Sequence, residues 1–374
     1  MQQRIPQLDA VRGVAIVLVI LHNTSAKYPA LHFQPLFGNG WMGVDLFFVL
    51  SGLLITGILA DTKDSDGYLK NFYARRCLRI WPLYYSLILF IFVLVPFARP
   101  SQAHAVFDRS SPWWAYPFFL QNFLIPLPTT ATGPLAVTWS LAIEEQFYLV
   151  WPWVVRYSSG AQVRRIAITV ICLSPALRFY LSLHHVDFYT NVFCRLDGLM
   201  AGALLALVVR SEAFLPSKFV RPAWISLFLA APLALLTEAF DARWIVFSLT
   251  AVASTSFVYL SLFSSHKWLL AAMTNKAIVY TGTISYGLYL LHKIPFDVAQ
   301  AFQLDGHPFL ILPLGLVAAY AMAVLSWKLL ETPLLRLKRF FESSDRPIRD
   351  ARGPFGCDRR APRPLERTLG VEGR

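Results

Sequence analysis

The chain has 374 residues, of which 56% are hydrophobic, 15% aromatic and only 15% charged, with a mean hydropathy of +0.50. Those figures exclude an ordinary soluble domain and a disordered chain, and they predict an all-α, polytopic integral membrane protein. The formal net charge of +12 does not call for nucleic acid, because much of it sits in short loops and a basic tail. Anionic lipid headgroups are the simpler partner there.

In chain order, apolar runs near 10–27, 41–60, 80–97, 137–155, 166–184, 193–210, 222–238, 243–264, 277–296 and 308–330 predict a bundle of about ten transmembrane helices. The segment Trp113 to Pro128 is short and rich in proline and aromatics, and reads as interfacial or re-entrant. Lysine and arginine collect in alternate loops, at Lys63, Lys70, Arg75, Arg76 and Arg79, then Arg156, Arg164, Arg165, Arg210, Lys218, Arg221, Lys267 and Lys276. By the positive-inside rule that side is cytoplasmic, which puts both termini there and makes the chain a multi-pass protein of the inner (plasma) membrane. Residues 1–341 form the membrane domain, and the proline-, glycine- and arginine-rich residues 342–374 read as a disordered cytoplasmic tail. Thr24-Ser25-Ala26 after an apolar run imitates the end of a signal peptide. Arg12 interrupts that run, however, and its removal would reverse the charge pattern downstream.

Charged and titratable groups inside apolar runs mark candidate sites, because burying one in hydrocarbon costs on the order of 3 kcal/mol. The first run carries Arg12 and His22, which lie roughly 15 Å apart along a helix. Asp45 in the second falls at a depth similar to His22 and is placed to orient that imidazole. In the loop expected before the third run, Arg75, Arg76 and Arg79 share a helical face at i, i+3 and i+4 spacing. That cluster suits phosphate groups, or equally the anchoring of a membrane-facing loop. Glu144 and Glu145 open the fourth run about 100° apart, so only one need face inward; they favour the helix dipole or line an acceptor site, with Ser140 as a candidate cap. Arg195 and Asp197 are two residues apart and cannot pair on one face, so each needs a partner elsewhere. Ser285, Tyr289 and His292 form a polar stripe at i, i+4 and i+7, which serves either a site or a structural network between helices. The four cysteines are scattered, and no histidines fall at metal-ligand spacing, so no metal is expected.

Taken together these segments resemble the acyltransferase-3 family of integral membrane acyltransferases, which includes O-antigen and exopolysaccharide O-acetylases. The resemblance rests on Leu8-Asp9-x-x-Arg12-Gly13 with His22, the run from Gly43 to Gly52, Arg75-Arg76-x-x-Arg79-Ile80-x-Pro82, and Trp139-Ser140-Leu141-x-x-Glu144-Glu145-Gln146-Phe147-Tyr148. Arg195-x-Asp197-Gly198, Ser285-Tyr286-x-x-Tyr289-x-x-His292 and Glu331-Thr332-Pro333 complete it, in family order. It implies transfer of an acyl group, often acetyl, from cytoplasmic acyl-CoA to a hydroxyl of an extracytoplasmic carbohydrate or related acceptor, with acyl-CoA as co-substrate and no bound cofactor. It further implies His22 as catalytic base with Arg12 as its partner, and Arg76 and Arg79, with Arg75 beside them, as contacts for the CoA phosphates. On this reading Asp45 joins the catalytic group, while Glu144, Glu145, Arg195, Asp197, Tyr289 and His292 are candidate acceptor contacts. The chain departs from the family's usual spacing: nine residues, not ten, separate Arg12 from His22, and Asn23 holds the usual position. One residue turns a side chain by about 100°, so either the helix adjusts or the imidazole points elsewhere. A transporter or flippase of an anionic or lipid-linked sugar would want the same buried charges, and is the competing reading.

Overall fold

Each expected apolar run is helical in the computed structural model, which describes residues 5–28, 38–98, 112–124, 133–240, 242–304 and 307–341. The basic tail, 342–374, lies outside the described residues. Among the described residues every regular element is a helix, and seven helices are long and apolar enough to cross a membrane. These belong to α1 (Pro6–Lys27), α2 (Met42–Asp61), α3 (Tyr68–Leu89), α5 (Gly160–Leu183), α7 (Pro216–Ala239), α8 (Arg243–Phe263) and α13 (Pro308–Ser326). Two further expected spans are α4 (Thr138–Tyr157), which carries Glu144, Glu145 and Arg156, and the short α6 (Leu196–Val208). The segment expected to be interfacial forms a 3-10 turn at Trp113–Ala115 and a single helical turn at Gln121–Leu124.

The ninth expected span, 277–296, departs from a continuous helix. After α9 (Lys267–Met273) the chain runs as three short helices, α10 (Lys276–Thr283), α11 (Ser285–Leu291) and α12 (Ile294–Ala301). Pro295 has no N–H to donate to Leu291, which is where α11 stops. Prolines also shape the ends of α3 and α13. Each passes into a π turn, Phe90–Leu94 and Trp327–Glu331, just ahead of Pro96 and Pro333, where the missing N–H breaks the regular ladder. A second departure concerns α3: it begins at Tyr68, so Arg75, Arg76 and Arg79 stand on the helix itself and not in a preceding loop.

Two close crossings set the frame. A Cβ on Gly282 would fall on the backbone carbonyl of Asp9, and one on Gly13 on that of Ile278, so α1 and α10 touch backbone to backbone. In the same way Gly52 of α2 meets the Leu199 carbonyl, and Gly202 of α6 meets the Val49 carbonyl. Small residues at such crossings replace a hydrophobic drive that lipid does not supply. Gly202→Ala and Gly282→Ala are expected to lower stability by about 1–3 kcal/mol through overpacking, seen as a lower unfolding temperature in detergent. Gly160→Ala, whose Cβ would meet nothing within 4 Å, is expected to leave it unchanged.

Buried ion pairs tie α2, α5, α6 and α8 together. Arg195 Nη2 donates to both carboxylate oxygens of Asp45, at 3.0 and 3.1 Å, with its guanidinium 3.8 Å from the Phe247 ring centroid. Arg178 Nη2 donates to Asp197 Oδ2 at 2.8 Å and to Ser248 Oγ at 2.6 Å. Arg178 Nε reaches the Trp244 carbonyl at 2.7 Å, and Nη1 the Cys194 carbonyl. Arg195 and Asp197 thus find separate partners, as their spacing demands.

Candidate active site

A cavity of about 100 Å3 lies between α1, α2, α3, α4 and α11. At one end its wall carries three guanidinium groups, Arg12 from α1 and Arg76 and Arg79 from α3. The crossing of α1 on α10 holds Arg12 in place, and Asp9, one turn earlier, accepts its Nη1 at 2.8 Å. Arg76 sits 5.8 Å from the ring centroids of both Phe72 and Tyr148, a cation over aromatic faces. Among the described residues neither Arg76 nor Arg79 makes a salt bridge to a carboxylate. This end of the cavity therefore holds more positive than paired negative charge, which suits an anion.

Midway along the cavity, the Tyr148 hydroxyl donates to Ser51 Oγ at 3.1 Å, and the Ser51 hydroxyl donates to Glu144 Oε1. Glu144 and Tyr148 are i, i+4 on α4 and so share the face turned to α2. Glu145 points away, toward α3, where it accepts the Trp81 indole N–H at 3.3 Å; the 100° offset divides the two acids as the sequence requires. At the other end Tyr289 meets Ser140, with 2.5 Å between hydroxyl oxygens, and donates to the Val137 carbonyl at 2.9 Å. Ser140 is therefore not the α4 cap. Tyr286 fixes α11 to α3 by donating to the Ile80 carbonyl at 2.5 Å.

The structure thus gathers Arg12, Arg76, Arg79, Glu144, Ser285 and Tyr289 on one cavity. Arg75 lies a turn back, its Nε on the Asn71 carbonyl at 3.1 Å. Asp45, Arg195 and Asp197 are enclosed in the ion pairs of the helix packing, 1%, 1% and 2% exposed. Asp45, expected at the depth of His22, gives both carboxylate oxygens to Arg195, the anion that a buried guanidinium needs. His22 stands further along α1 and is half-buried, with its Cβ close against Gly40 of the 3-10 turn Gly38–Trp41. The helix does not adjust to the short spacing, since α1 is regular from Pro6 to Lys27. His292 is buried at the junction of α11 and α12, one turn beyond Tyr289. Sequence reasoning passed over Arg178, Ser51 and Tyr148. Arg178 bears the same mark as Arg12, an arginine inside an apolar run, and Tyr148 lies one turn from a flagged acid.

Comparison with known proteins bears on the family of the chain. The acyltransferase domain family Acyl_transf_3 matches residues 5–328. The peptidoglycan O-acetyltransferase OatA of Listeria monocytogenes is 29% identical over 359 residues, covering 88% of this chain and 56% of its own length. A Staphylococcus aureus protein named "Putative O-acetyltransferase" is 28% identical over 360 residues, 88% of this chain and 57% of its own. The chain thus spans a little over half the length of the curated relatives it matches. No solved structure matches it.

Proposed function

We propose, from the premise that this chain belongs to the acyltransferase-3 family, that it moves an acyl group from cytoplasmic acyl-CoA to a hydroxyl of an extracytoplasmic carbohydrate. The observation that carries this is the convergence of Arg12, Arg76 and Arg79 on one small cavity. Guanidinium groups bind phosphate oxygens in pairs, and α1 and α3 both enter the bundle from the end that the positive-inside rule places in the cytoplasm. The CoA phosphates dock at that mouth and the thioester reaches inward. The curated relatives are named as O-acetyltransferases, so acetyl is the first acyl group to consider. OatA is named for peptidoglycan, so a peptidoglycan sugar or a related carbohydrate is the first acceptor to consider.

Chemically, the acceptor oxygen bonds to the thioester carbonyl carbon, the C–S bond breaks, and CoA leaves as its thiol. His22 takes the hydroxyl proton as general base, and Arg12 stabilises charge along the channel. The protein resides in the inner (plasma) membrane as a multi-pass bundle with its termini in the cytoplasm. Acyl-CoA is the co-substrate in this reading.

Purified protein in lipid vesicles, given acetyl-CoA labelled in its acetyl group, is expected to release CoA and transfer or hydrolyse the label. Replacing both Arg76 and Arg79 with Ala should raise the apparent KM for acetyl-CoA at least about tenfold, since a hydrogen bond to a charged group contributes about 1.5–3 kcal/mol. An unchanged KM would remove the phosphate clamp from the proposal. Use of acetyl phosphate but not acetyl-CoA would identify a different donor, and absence of any transfer would turn the reading toward transport.

A further inference from the structure

The segment that follows the last span brings one more cation to the arginine end of the cavity. Past the π turn Trp327–Glu331 and the short helix Thr332–Arg336, the chain closes on a 3-10 turn, Leu337–Phe341, and all three elements pack against α3. Lys338 in that turn faces Arg79, Arg76, Arg75 and Arg12. It is half-buried, finds no acceptor among the described residues, and keeps its ammonium accessible. Arg76 and Arg79 are in the same state, half-buried with guanidinium nitrogens that meet no acceptor and are not enclosed.

The acids nearby do not neutralise this group. Asp9 is paired with Arg12 at 2.8 Å, Glu144 accepts the Ser51 hydroxyl, Glu145 the Trp81 indole, and Glu331 the Ser326 hydroxyl at 3.0 Å. Among the described residues none of them forms a salt bridge with Arg76, Arg79 or Lys338. Like charges gathered in a partly desolvated place raise the free energy of the empty protein, and an anion that joins them lowers it. Guanidinium groups and an ammonium together suit phosphate, the first by paired hydrogen bonds and the second as a compact charge.

Position along the membrane axis decides which phosphate. Acyl-CoA carries a diphosphate, from which the pantetheine arm leads to the thioester, and a monoester on the ribose 3′ oxygen, on the side away from that arm. Arg12, Arg76 and Arg79 line the cavity, where the diphosphate lies if the arm runs inward. Lys338 stands outside that wall, on the side where the positive-inside rule ends the last span in the cytoplasm. We infer that Lys338 binds the 3′-phosphate of acyl-CoA, so that the segment closing the membrane domain sets the preference for CoA over its 3′-dephospho form. This rests on the acyl-CoA reading for its ligand, but its test needs binding alone.

The probes are acetyl-CoA and acetyl-3′-dephospho-CoA, titrated calorimetrically onto the full chain in phosphatidylcholine nanodiscs. The wild type is expected to bind acetyl-CoA about tenfold more tightly, the weight of one hydrogen bond to a charged group. Lys338→Gln should bring the two probes to within about twofold by weakening acetyl-CoA alone, while Lys338→Arg, which keeps the charge, should keep the preference. Arg336→Gln removes the same charge from an exposed position two residues earlier and should leave both affinities unchanged, which separates the site from general electrostatics. Without ligand, Lys338→Gln is expected to unfold at or above the wild-type temperature because a like charge has gone; a lysine that only fastened the turn to α3 would lower it. Equal affinity of the wild type for the two probes, or a preference that survives in Lys338→Gln, overturns the inference. So does phosphatidylglycerol that displaces acetyl-CoA from the wild type but not from Lys338→Gln, since it gives the lysine to a lipid headgroup. A Lys338-dependent preference in a protein that never transfers acetyl upholds the inference and removes the acyl-transfer reading. Transfer without any preference does the reverse.

Discussion

Arg178→Ala is expected to be among the most destabilising single substitutions in the bundle, by about 3–5 kcal/mol. The side chain is wholly buried and its guanidinium meets the Asp197 carboxylate, the Ser248 hydroxyl and two backbone carbonyls. Truncation strands the Asp197 carboxylate in the packing of α5, α6 and α8, and leaves the Trp244 and Cys194 carbonyls without this donor. The measurement is the unfolding temperature in detergent, together with the yield of folded protein. A paired replacement, Arg178→Met with Asp197→Leu, is expected to recover much of the loss, because removing both charges removes the desolvation cost that the pair offsets. A single variant as stable as the wild type would show that the pair is not structural, and would return Asp197 to the list of substrate contacts.

That network also shows what the sequence makes legible. Composition alone places the chain in a membrane, and the two-residue spacing of Arg195 and Asp197 forces them onto different partners. It does not say which partners, because the pairs are made across α2 and α5 by contacts some 150 and 19 residues apart. Helical offset likewise splits Glu144 from Glu145, yet only the packing reveals that Ser51 and Tyr148 complete the inward carboxylate. Hydropathy over 277–296 reads as one span because it ignores backbone hydrogen bonds. The break before Pro295 arises where the i to i−4 ladder loses a donor. Asp45 is a related case: its depth along a helix is readable, but that Arg195 pairs with it is visible only in the packing.

His22→Ala is expected to reduce transfer by about 10²- to 10⁴-fold, the range of a general base, while leaving the KM for acetyl-CoA unchanged. Arg12 and His22 are ten residues apart on a regular helix, which turns the imidazole about 80° from the face that carries Arg12. Asn23 is nearer that face, and its Nδ2 is spent on the Val19 carbonyl at 2.9 Å, so Asn23→Ala should change transfer little. The imidazole packs beside Gly40, past the tyrosine end of the cavity, where an acceptor arriving from outside would meet it before the thioester. Label released from acetyl-CoA, with and without chitotetraose, a soluble N-acetylglucosamine oligomer, separates the two steps: loss of transfer with intact donor binding places His22 on the acceptor side. If His22→Ala transfers within tenfold of the wild type, the base is not on α1.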